Sequence, residues 1–231
     1  MGNSLIPSRE MRIRSATPDI KVEYFTEEEI RIMREWISDI TRGNSSKGAS
    51  RFRYEDREKY ALLFEFLLRT GGRVSEILAL TPANIDLAAN LIEMDNLKQK
   101  NKKKNKKTIP LHPELRQEYE RYLRYIRNTS RTARIFPMTR AAVDQFLKKM
   151  NRELEPKGFP ITRKEGEKAR YYIHAHKFRH TFGVNAALSG VPINVLQRWL
   201  GHSSLWVTSI YTEVYGTDTH SYIARMYRPK E

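Results

Sequence analysis

The sequence predicts a mainly helical domain with a small antiparallel β-sheet, the α+β class. Three observations support this prediction. Capping signals and apolar periodicity mark several helices, two short runs of strand-forming residues flank a lysine-rich turn, and no internal repeat is present. The chain has 231 residues, of which 39% are hydrophobic, so it can bury the core of one compact domain.

The first predicted helix has the clearest start in the chain. Residues 1–22 are polar and basic, contain two prolines and show no periodicity, which is typical of a linker. Thr26 then predicts an N-cap, with Glu29 three residues later as its partner in a capping box. Phe25 and Ile30 occupy the positions of a hydrophobic staple across the same helix start.

Two more helices are predicted before the middle of the chain. The Gly- and Ser-containing segment 41–54 predicts a loop, and the nearly all-apolar run within 56–69 predicts a helix at the centre of the core. The Thr-Gly-Gly run before Arg73 ends this helix. Arg73 then opens a short third helix, which ends before Pro82.

The sheet is predicted in the middle of the chain, and the C-terminal part is predicted to be mostly helical. Residues 91–94 and 108–111 predict two strands joined by a long lysine-rich turn. Pro113 fits the first position of one helix and Thr139 the cap of another, while the polar segment 155–172 predicts a loop. The helices predicted from here on span 113–126, 140–154, 176–189, 192–200, 204–211 and 217–226.

Charge and composition narrow the possible functions. The net charge of +15 points to a polyanionic partner, with nucleic acid as the first choice and an anionic membrane surface as the second. The absence of cysteine excludes a disulfide scaffold, a cysteine nucleophile and thiolate metal sites. No apolar run is long enough for a transmembrane helix and the N-terminus does not have the pattern of a signal peptide, so we expect a cytoplasmic protein.

One cluster of polar residues predicts an anion site. His176 and His180 share a helix face, but Lys177 stands where a zinc protease has its glutamate, so no metal is expected there. Arg179 lies on the same face, three residues after His176. Two imidazoles and a guanidinium on one surface predict a site for an anion such as phosphate, with a capped, solvated helix end as the alternative.

Three further polar residues are ambiguous when each is taken alone. Arg73 either holds an anion or forms a salt bridge with Glu76 one helical turn later. His202, at a helix–turn junction, and Tyr211, near the end of an apolar helix, are each more often structural. A tyrosine becomes a nucleophile only when neighbouring cations or a base favour the phenolate, and the other residues would supply those cations.

Taken together, these residues resemble the tyrosine recombinase (phage integrase, Xer-like) family. The segment TGGRVSEILAL, which contains Arg73, resembles the first box of that family. The segment HAHKFRHTFGVNAALSGVPINVLQRWLGHSSLWVTSIYTEV resembles the second box, and the spacings from Arg179 to His202 and from His202 to Tyr211 match as well. The resemblance extends from about residue 22 to the C-terminus. It implies the catalytic-domain fold of the family over residues 23–231, with a C-terminal helix at about 217–226.

The resemblance also implies the roles of the site residues. Two arginines grip the non-bridging oxygens of a DNA phosphodiester, one histidine binds the same phosphate, and another takes the tyrosine proton or orients the phosphate. The tyrosine attacks phosphorus, forms a 3′-phosphotyrosine and releases a 5′-hydroxyl, without a metal or another cofactor. The residues at these positions are Arg73, Lys98, His176, Arg179, His202 and the nucleophile Tyr211, supported by Glu76 and His180.

The proton donor is the least decided of these assignments. The family uses a lysine in its hairpin turn, and this chain has seven lysines within residues 98–107. Counting from the first strand favours Lys98, whereas counting back from the second strand favours Lys102, and Lys100 remains an alternative. The other lysines of the turn are expected to contact DNA phosphates or to be solvated. The candidates for DNA contacts are Lys100, Lys102, Lys103 and Lys104.

The function implied is site-specific DNA recombination, as in integration, excision or resolution by mobile elements, through strand cleavage and rejoining. Relaxation of supercoils by a type IB topoisomerase with the same chemistry is the alternative, and a non-catalytic helical DNA-binding module is a third hypothesis. Double-stranded DNA is the expected partner. The resemblance implies a synaptic tetramer on DNA and a monomer in free solution.

The family usually has a core-binding domain before the catalytic domain, but only about 22 residues stand there in this sequence. This fits either a catalytic fragment or a compact member of the family. The composition of those residues favours the fragment.

Overall fold

The computed structural model describes residues 22–42, 54–96, 106–125, 130–159, 161–162, 170–204, 208 and 210. The helices in this part of the chain are α1 (Glu27–Arg42), α2 (Tyr54–Thr70), α3 (Val74–Leu78), α4 (Pro113–Tyr125), α5 (Arg140–Leu154), α6 (Ala175–Leu188) and α7 (Ile193–Leu200). The strands are β1 (Ile85–Asp86), β2 (Leu91–Asp95), β3 (Lys106–Pro110), β4 (Ile161–Thr162) and β5 (Arg170–Tyr171). The prediction of a mainly helical domain with a small antiparallel sheet is confirmed. No helix among the described residues has the length and apolar character needed to cross a bilayer.

The start of α1 has the capping arrangement that its sequence predicts. The Glu29 backbone N–H donates to Thr26 Oγ1 at 3.2 Å, and the Thr26 N–H donates to Glu29 Oε2 at 2.7 Å. Two N–H groups that the helix itself cannot satisfy are therefore bonded reciprocally. Phe25 and Ile30, the expected staple residues, are both buried in the main core.

Helix α2 lies at the centre of the main core, as its apolar sequence predicts. Leu62, Leu63 and Phe66 have no exposed surface, and the helix packs against α1, α4 and α6. An apolar surface on all sides suits only a helix that has neighbours all round it. The helices before and after Gly71, α2 and α3, therefore belong to the same core.

The strands β1, β2 and β3 form an antiparallel sheet in that order. Ile92 of β2 pairs with Ile109 of β3, and both are buried. The alternation along β3 also directs Lys107 inward, opposite the buried Met94. The sequence prediction covered β2 and β3 but not β1.

The segment 155–172, predicted to be a loop, contains two short antiparallel strands. Ile161 of β4 pairs with Tyr171 of β5, so the loop prediction is wrong at these positions. The prediction missed them because each strand has only two residues, too few to show an alternating pattern.

A smaller apolar cluster joins α6 and α7 to the beginning of the described chain. It contains Val22, Val184, Leu196 and Leu200, all buried. Val22 therefore packs on the domain, although the sequence analysis places it at the end of a linker. The helices predicted at 204–211 and 217–226 lie outside the described residues, except for Ser204, Thr208 and Ile210.

Gly71 permits a close approach of three segments, which leads to a prediction. Its φ is +57°, and a Cβ there would lie 2.5 Å from Phe182 Cδ1 and 2.9 Å from Leu200 Cδ2. We expect Gly71→Ala to lower the free energy of unfolding by about 3 kcal/mol, from backbone strain and overpacking together. Gly190 is the matched control, because its φ is +81° but, chain neighbours aside, no atom of the described residues lies within 4 Å of its Cβ position. Gly190→Ala should cost only about 1 kcal/mol, and equal losses in urea unfolding would contradict the steric explanation.

Candidate active site

Arg73 is anchored on one side and exposed on the other. It is the N-cap of α3, and its backbone N–H donates to Glu76 Oε2 at 2.9 Å while Nη1 donates to Oε1 at 2.7 Å. Glu76 is fully buried, whereas 27% of the Arg73 side chain remains exposed. The predicted salt bridge is therefore present, and it leaves part of the Arg73 side chain exposed to solvent, where an anion can bind.

Lys107 also pairs with Glu76, and the sequence analysis did not single it out. Its Nζ lies 2.8 Å from Glu76 Oε2, and its side chain is almost fully buried. Burial opposes ionisation of Glu76, but Lys107 and Arg73 outweigh it and hold the pKa of this carboxyl below its usual value. Burial lowers the pKa of Lys107 to about 8, although Glu76 opposes the shift. A buried carboxylate thus organises two cations at this point.

Arg179 joins the two loops that lead to Arg73 and His202. Its Nη1 donates to the Gly71 carbonyl at 2.7 Å, and its Nη2 donates to the Leu200 carbonyl at 2.7 Å. Arg179 is itself buried. Because Arg73 follows Gly71 by two residues and His202 follows Leu200 by two residues, this one guanidinium sets the separation of both side chains.

His176 and His180 lie one helical turn apart on α6, and their rings contact each other edge to face with centroids 4.4 Å apart. His176 is exposed and His180 is partly buried. His174 caps the helix, since its Nδ1 accepts from the Lys177 N–H at 3.3 Å. The predicted sharing of one face is thus seen for the two imidazoles, whereas Arg179 is turned inward towards the backbone.

His202 stands beside a left-handed turn at the end of α7. Gly201 has a φ of +67°, and its carbonyl accepts from Asn96 Nδ2 at 3.2 Å. The His202 ring is oriented by Thr208, whose Oγ1 lies 2.9 Å from Nδ1. A cavity of about 550 Å³ lies here between β3 and α7, and Lys107 and His202 are among the residues that line it.

Lys177 fastens α6 to the start of α1. Its Nζ lies 3.0 Å from the centroid of the Tyr172 ring and 4.7 Å from that of Phe25. The Tyr172 hydroxyl donates to Glu29 at 2.6 Å, and the Phe25 N–H donates to Thr181 Oγ1 at 2.9 Å. Burial lowers the pKa of Lys177 to about 8, against the attraction of nearby glutamates. The helix that bears His176 and Arg179 is therefore tied to the capping box of α1.

The remaining predicted site residues lie outside the described part of the chain. They are Tyr211, Lys98, Lys100, Lys102, Lys103 and Lys104. Lys107 and Thr208 were not predicted as site residues, and the expectation that the other lysines of the turn contact phosphates or are solvated is wrong for Lys107, which lies buried in β3. The inward register of β3 is a signal that could have indicated Lys107, because it shares a strand face with the apolar Ile109. Thr208 gives no comparable signal, since its contact with His202 depends on the course of the chain after α7.

The described arginine and histidine side chains favour binding and stabilisation of a tetrahedral anion. Arg73, His176 and His202 come from three different elements, and Arg179 connects the backbone of all three. Guanidinium and imidazole groups held in advance stabilise the charge that develops on phosphate oxygens during displacement at phosphorus.

Comparisons with known proteins show which family this chain belongs to. The sequence model of the phage integrase family matches residues 50–217. Tyrosine recombinase XerA of Pyrococcus furiosus is 30% identical over 161 residues, which are 69% of this chain and 52% of that protein. Tyrosine recombinase XerC of Bacillus licheniformis is 30% identical over 155 residues, 66% of this chain and 48% of that protein. The chain thus spans about half the length of these curated relatives.

Solved structures share the fold at low sequence identity. The crystal structure of XerA recombinase matches with a TM-score of 0.56 and 20% identity, over 90% of this chain and 66% of that chain. The Tn1549 transposon integrase in complex with circular intermediate DNA gives a TM-score of 0.60 and 20% identity, over 89% and 64%. The catalytic domain of bacteriophage HP1 integrase gives 0.54 and 21%, over 89% and 95%. The match to the HP1 catalytic domain therefore extends over nearly all of that domain.

The bridging role of Arg179 generates a prediction about stability. Arg179→Met removes both donors and leaves the Gly71 and Leu200 carbonyls without this partner, so the free energy of unfolding should fall by about 3 kcal/mol. Arg179→Lys should lose less stability than Arg179→Met, because the ammonium retains the positive charge. It should still be less stable than wild type, because lysine lacks the planar fork of donors. His176→Ala, at an exposed position of the same helix, is the control and should change stability by less than about 0.5 kcal/mol. Urea unfolding measures the stability of all three variants. A urea midpoint of Arg179→Met equal to that of wild type would show that the fold does not need the bridge.

Proposed function

The chain belongs to the phage integrase family, and from that premise we propose that it is the catalytic domain of a site-specific DNA recombinase. It cleaves and rejoins DNA strands through a 3′-phosphotyrosine intermediate. The observation that carries the proposal is the Arg179 bridge. One guanidinium donates through Nη1 to the loop that bears Arg73 and through Nη2 to the loop that bears His202. A polar cluster assembled from parts of the chain more than 100 residues apart indicates a site rather than an accident of surface composition.

In the cleavage step, the Tyr211 oxygen attacks the phosphorus of a DNA phosphodiester. The P–O bond to the 5′-oxygen breaks, a 3′-phosphotyrosine forms, and the tyrosine proton passes to His176 or to solvent. Arg73 and Arg179 bind the non-bridging oxygens, His202 binds the same phosphate, and together they stabilise the added charge of the pentacoordinate transition state. The ester retains the energy of the broken bond, so a 5′-hydroxyl from a second strand can reverse the step without ATP.

Double-stranded DNA is the partner that the charge and the relatives support. The net charge of +15 favours a polyanion, and the similar Tn1549 transposon integrase structure is a complex with DNA. The relatives are named recombinases and integrases, which favours strand exchange over the relaxation carried out by a type IB topoisomerase. Integration or excision by a mobile element fits the match to a transposon integrase. We therefore propose that the protein acts on DNA in the cytoplasm.

The nucleophile is tested by trapping a covalent adduct. The full chain is incubated with a pool of nicked duplexes of random sequence, from which the short 5′-hydroxyl fragment is lost after cleavage. Wild-type protein should form an adduct that resists SDS, and sequencing the trapped DNA identifies the preferred site. Tyr211→Phe removes only the attacking oxygen and should abolish the adduct without weakening DNA binding. Tyr215→Phe, four residues away, is the matched control and should retain the adduct. A persistent adduct with Tyr211→Phe would contradict the assignment.

Lys98 is proposed as the acid that protonates the leaving 5′-oxygen, and sulfur substitution tests this role. Lys98→Ala should slow cleavage by roughly a hundredfold on ordinary DNA. A 5′-bridging sulfur leaves as a thiolate that needs almost no proton, so this substrate should restore most of the lost rate. Lys100→Ala and Lys102→Ala should lose mainly affinity, with a smaller dependence on salt. Sulfur rescue of Lys102→Ala or Lys100→Ala instead would move the acid to that position.

Assembly into a synaptic tetramer on DNA, from a monomer in free solution, is also part of the proposal. An exchange of strands requires two duplexes and therefore several active sites at one place. Light scattering should give the mass of one chain without DNA and of four chains with two cleavage-blocked duplexes, using Tyr211→Phe. A constant mass of one chain per duplex at every protein concentration would contradict the tetramer.

A further inference from the structure

We propose that Lys107 is a positioning residue that keeps Arg73 available for phosphate by occupying the second oxygen of Glu76. The inference rests on the proposed function, because it concerns the same phosphodiester. It adds a second cation to the ion pair expected between Arg73 and Glu76. Lys107 does not itself contact DNA in this arrangement.

The bonding around Glu76 shows how the two cations divide the carboxylate. Oε1 accepts from Arg73 Nη1 at 2.7 Å. Oε2 accepts from the Arg73 backbone N–H at 2.9 Å and lies 2.8 Å from Lys107 Nζ. The Arg73 guanidinium therefore reaches the carboxylate through a single nitrogen.

This single contact matters because arginine and carboxylate groups favour a bidentate fork with two parallel N–H···O bonds. A fork with Glu76 would engage a second guanidinium nitrogen and turn it away from solvent. Lys107 prevents the fork by placing its charge at Oε2. The other guanidinium nitrogens are thus left for the exposed side of Arg73, where a phosphate can be bound.

The placement of Lys107 fits an internal role and not a contact with the DNA backbone. Its side chain is 3% exposed, whereas that of its neighbour Lys106 is 61% exposed and pairs with Glu93 across the strand. Burying an ammonium is costly unless a partner compensates for the lost hydration. Glu76 is that partner, and it belongs to the helix that Arg73 caps.

The protonation of Lys107 provides a signature that a merely structural role would not give. The titratable and charged groups around it are Glu76 and Arg73 at α3, Arg179 on α6, and Lys106, Arg198 and His202, which line the same cavity as Lys107. Burial, opposed by Glu76 and aided by the two arginines, lowers the pKa of Lys107 to about 8. The lysine holds Oε2 as a cation below that pH and loses its charge as the pH rises above it.

The test measures single-turnover adduct formation by the full chain at saturating protein on the nicked DNA. Lys107→Met should slow the rate constant by about 10- to 100-fold, the usual result of misplacing a group that binds the reacting centre. The dissociation constant for DNA should change by less than about threefold, because many other phosphate contacts remain. Lys107→Arg should restore most of the rate, and Lys106→Met, the exposed neighbour, should stay within about twofold of wild type. Full-speed cleavage by folded Lys107→Met would overturn the proposal.

Two further arms separate positioning from other roles. The 5′-bridging sulfur should rescue Lys98→Ala but not Lys107→Met, and rescue of Lys107→Met would make this lysine a proton donor and overturn the positioning role. The wild-type rate should have an alkaline limb near pH 8 that disappears in Lys107→Arg, since arginine stays charged. Identical pH profiles for the two proteins would also count against the proposal.

A double variant keeps the test valid if Lys107→Met folds poorly. Glu76→Gln combined with Lys107→Met removes both of the almost fully buried charges together, whereas Arg73 keeps its partial exposure to solvent. If Lys107 acts through Glu76, adding Lys107→Met to Glu76→Gln should change the rate by less than about threefold. Independent, multiplying effects would overturn the mechanism. Failure of wild-type protein to form any adduct would instead remove the proposed function, and this role with it.

Discussion

The interaction on which the rest of the site depends is the pair of hydrogen bonds from Arg179 to the carbonyls of Gly71 and Leu200. Loops that leave two different helices are held at a separation set by one planar group. The left-handed backbone of Gly71 allows this approach, because any larger residue would meet Phe182 and Leu200. Side chains that bind a shared phosphate need fixed distances from one another, and the rigid guanidinium provides them without flexible intermediates.

A second constraint is electrostatic. Positive groups gathered for phosphate repel one another before DNA arrives, and the fold contains a buried anion that offsets this repulsion. Glu76 lies beneath Arg73 and Lys107, and its low pKa keeps it ionised at neutral pH. The arrangement remains net positive, so it still attracts a phosphodiester. The buried Glu76 thus stabilises the unliganded protein, and the remaining positive charge keeps the site attractive to an anion.

Local signals predicted much of this architecture. The capping box of Thr26 and Glu29, the end of α2 before Gly71 and the cap at Thr139 all depend on neighbouring residues, and sequence alone reveals them. The family resemblance also indicated Arg73, His176, Arg179 and His202. It could not show that Arg179 bonds to backbone carbonyls, because that depends on how α6 packs beside two distant loops. Lys107 was hidden for a similar reason, since in a run of lysines only the strand register distinguishes the buried one.

The attachment of α1 to α6 has a mechanical consequence. The chain enters the described domain at Val22, and within a few residues Phe25 and Glu29 are bonded to elements that hold α6. A displacement of the entering chain therefore passes through hydrogen bonds and the Lys177–aromatic contact into the helix that bears His176, with no flexible joint between Phe25 and Thr181. The start of the described chain and α6 are therefore a single mechanical unit, held by the Phe25–Thr181 hydrogen bond and the contact of Lys177 with Tyr172.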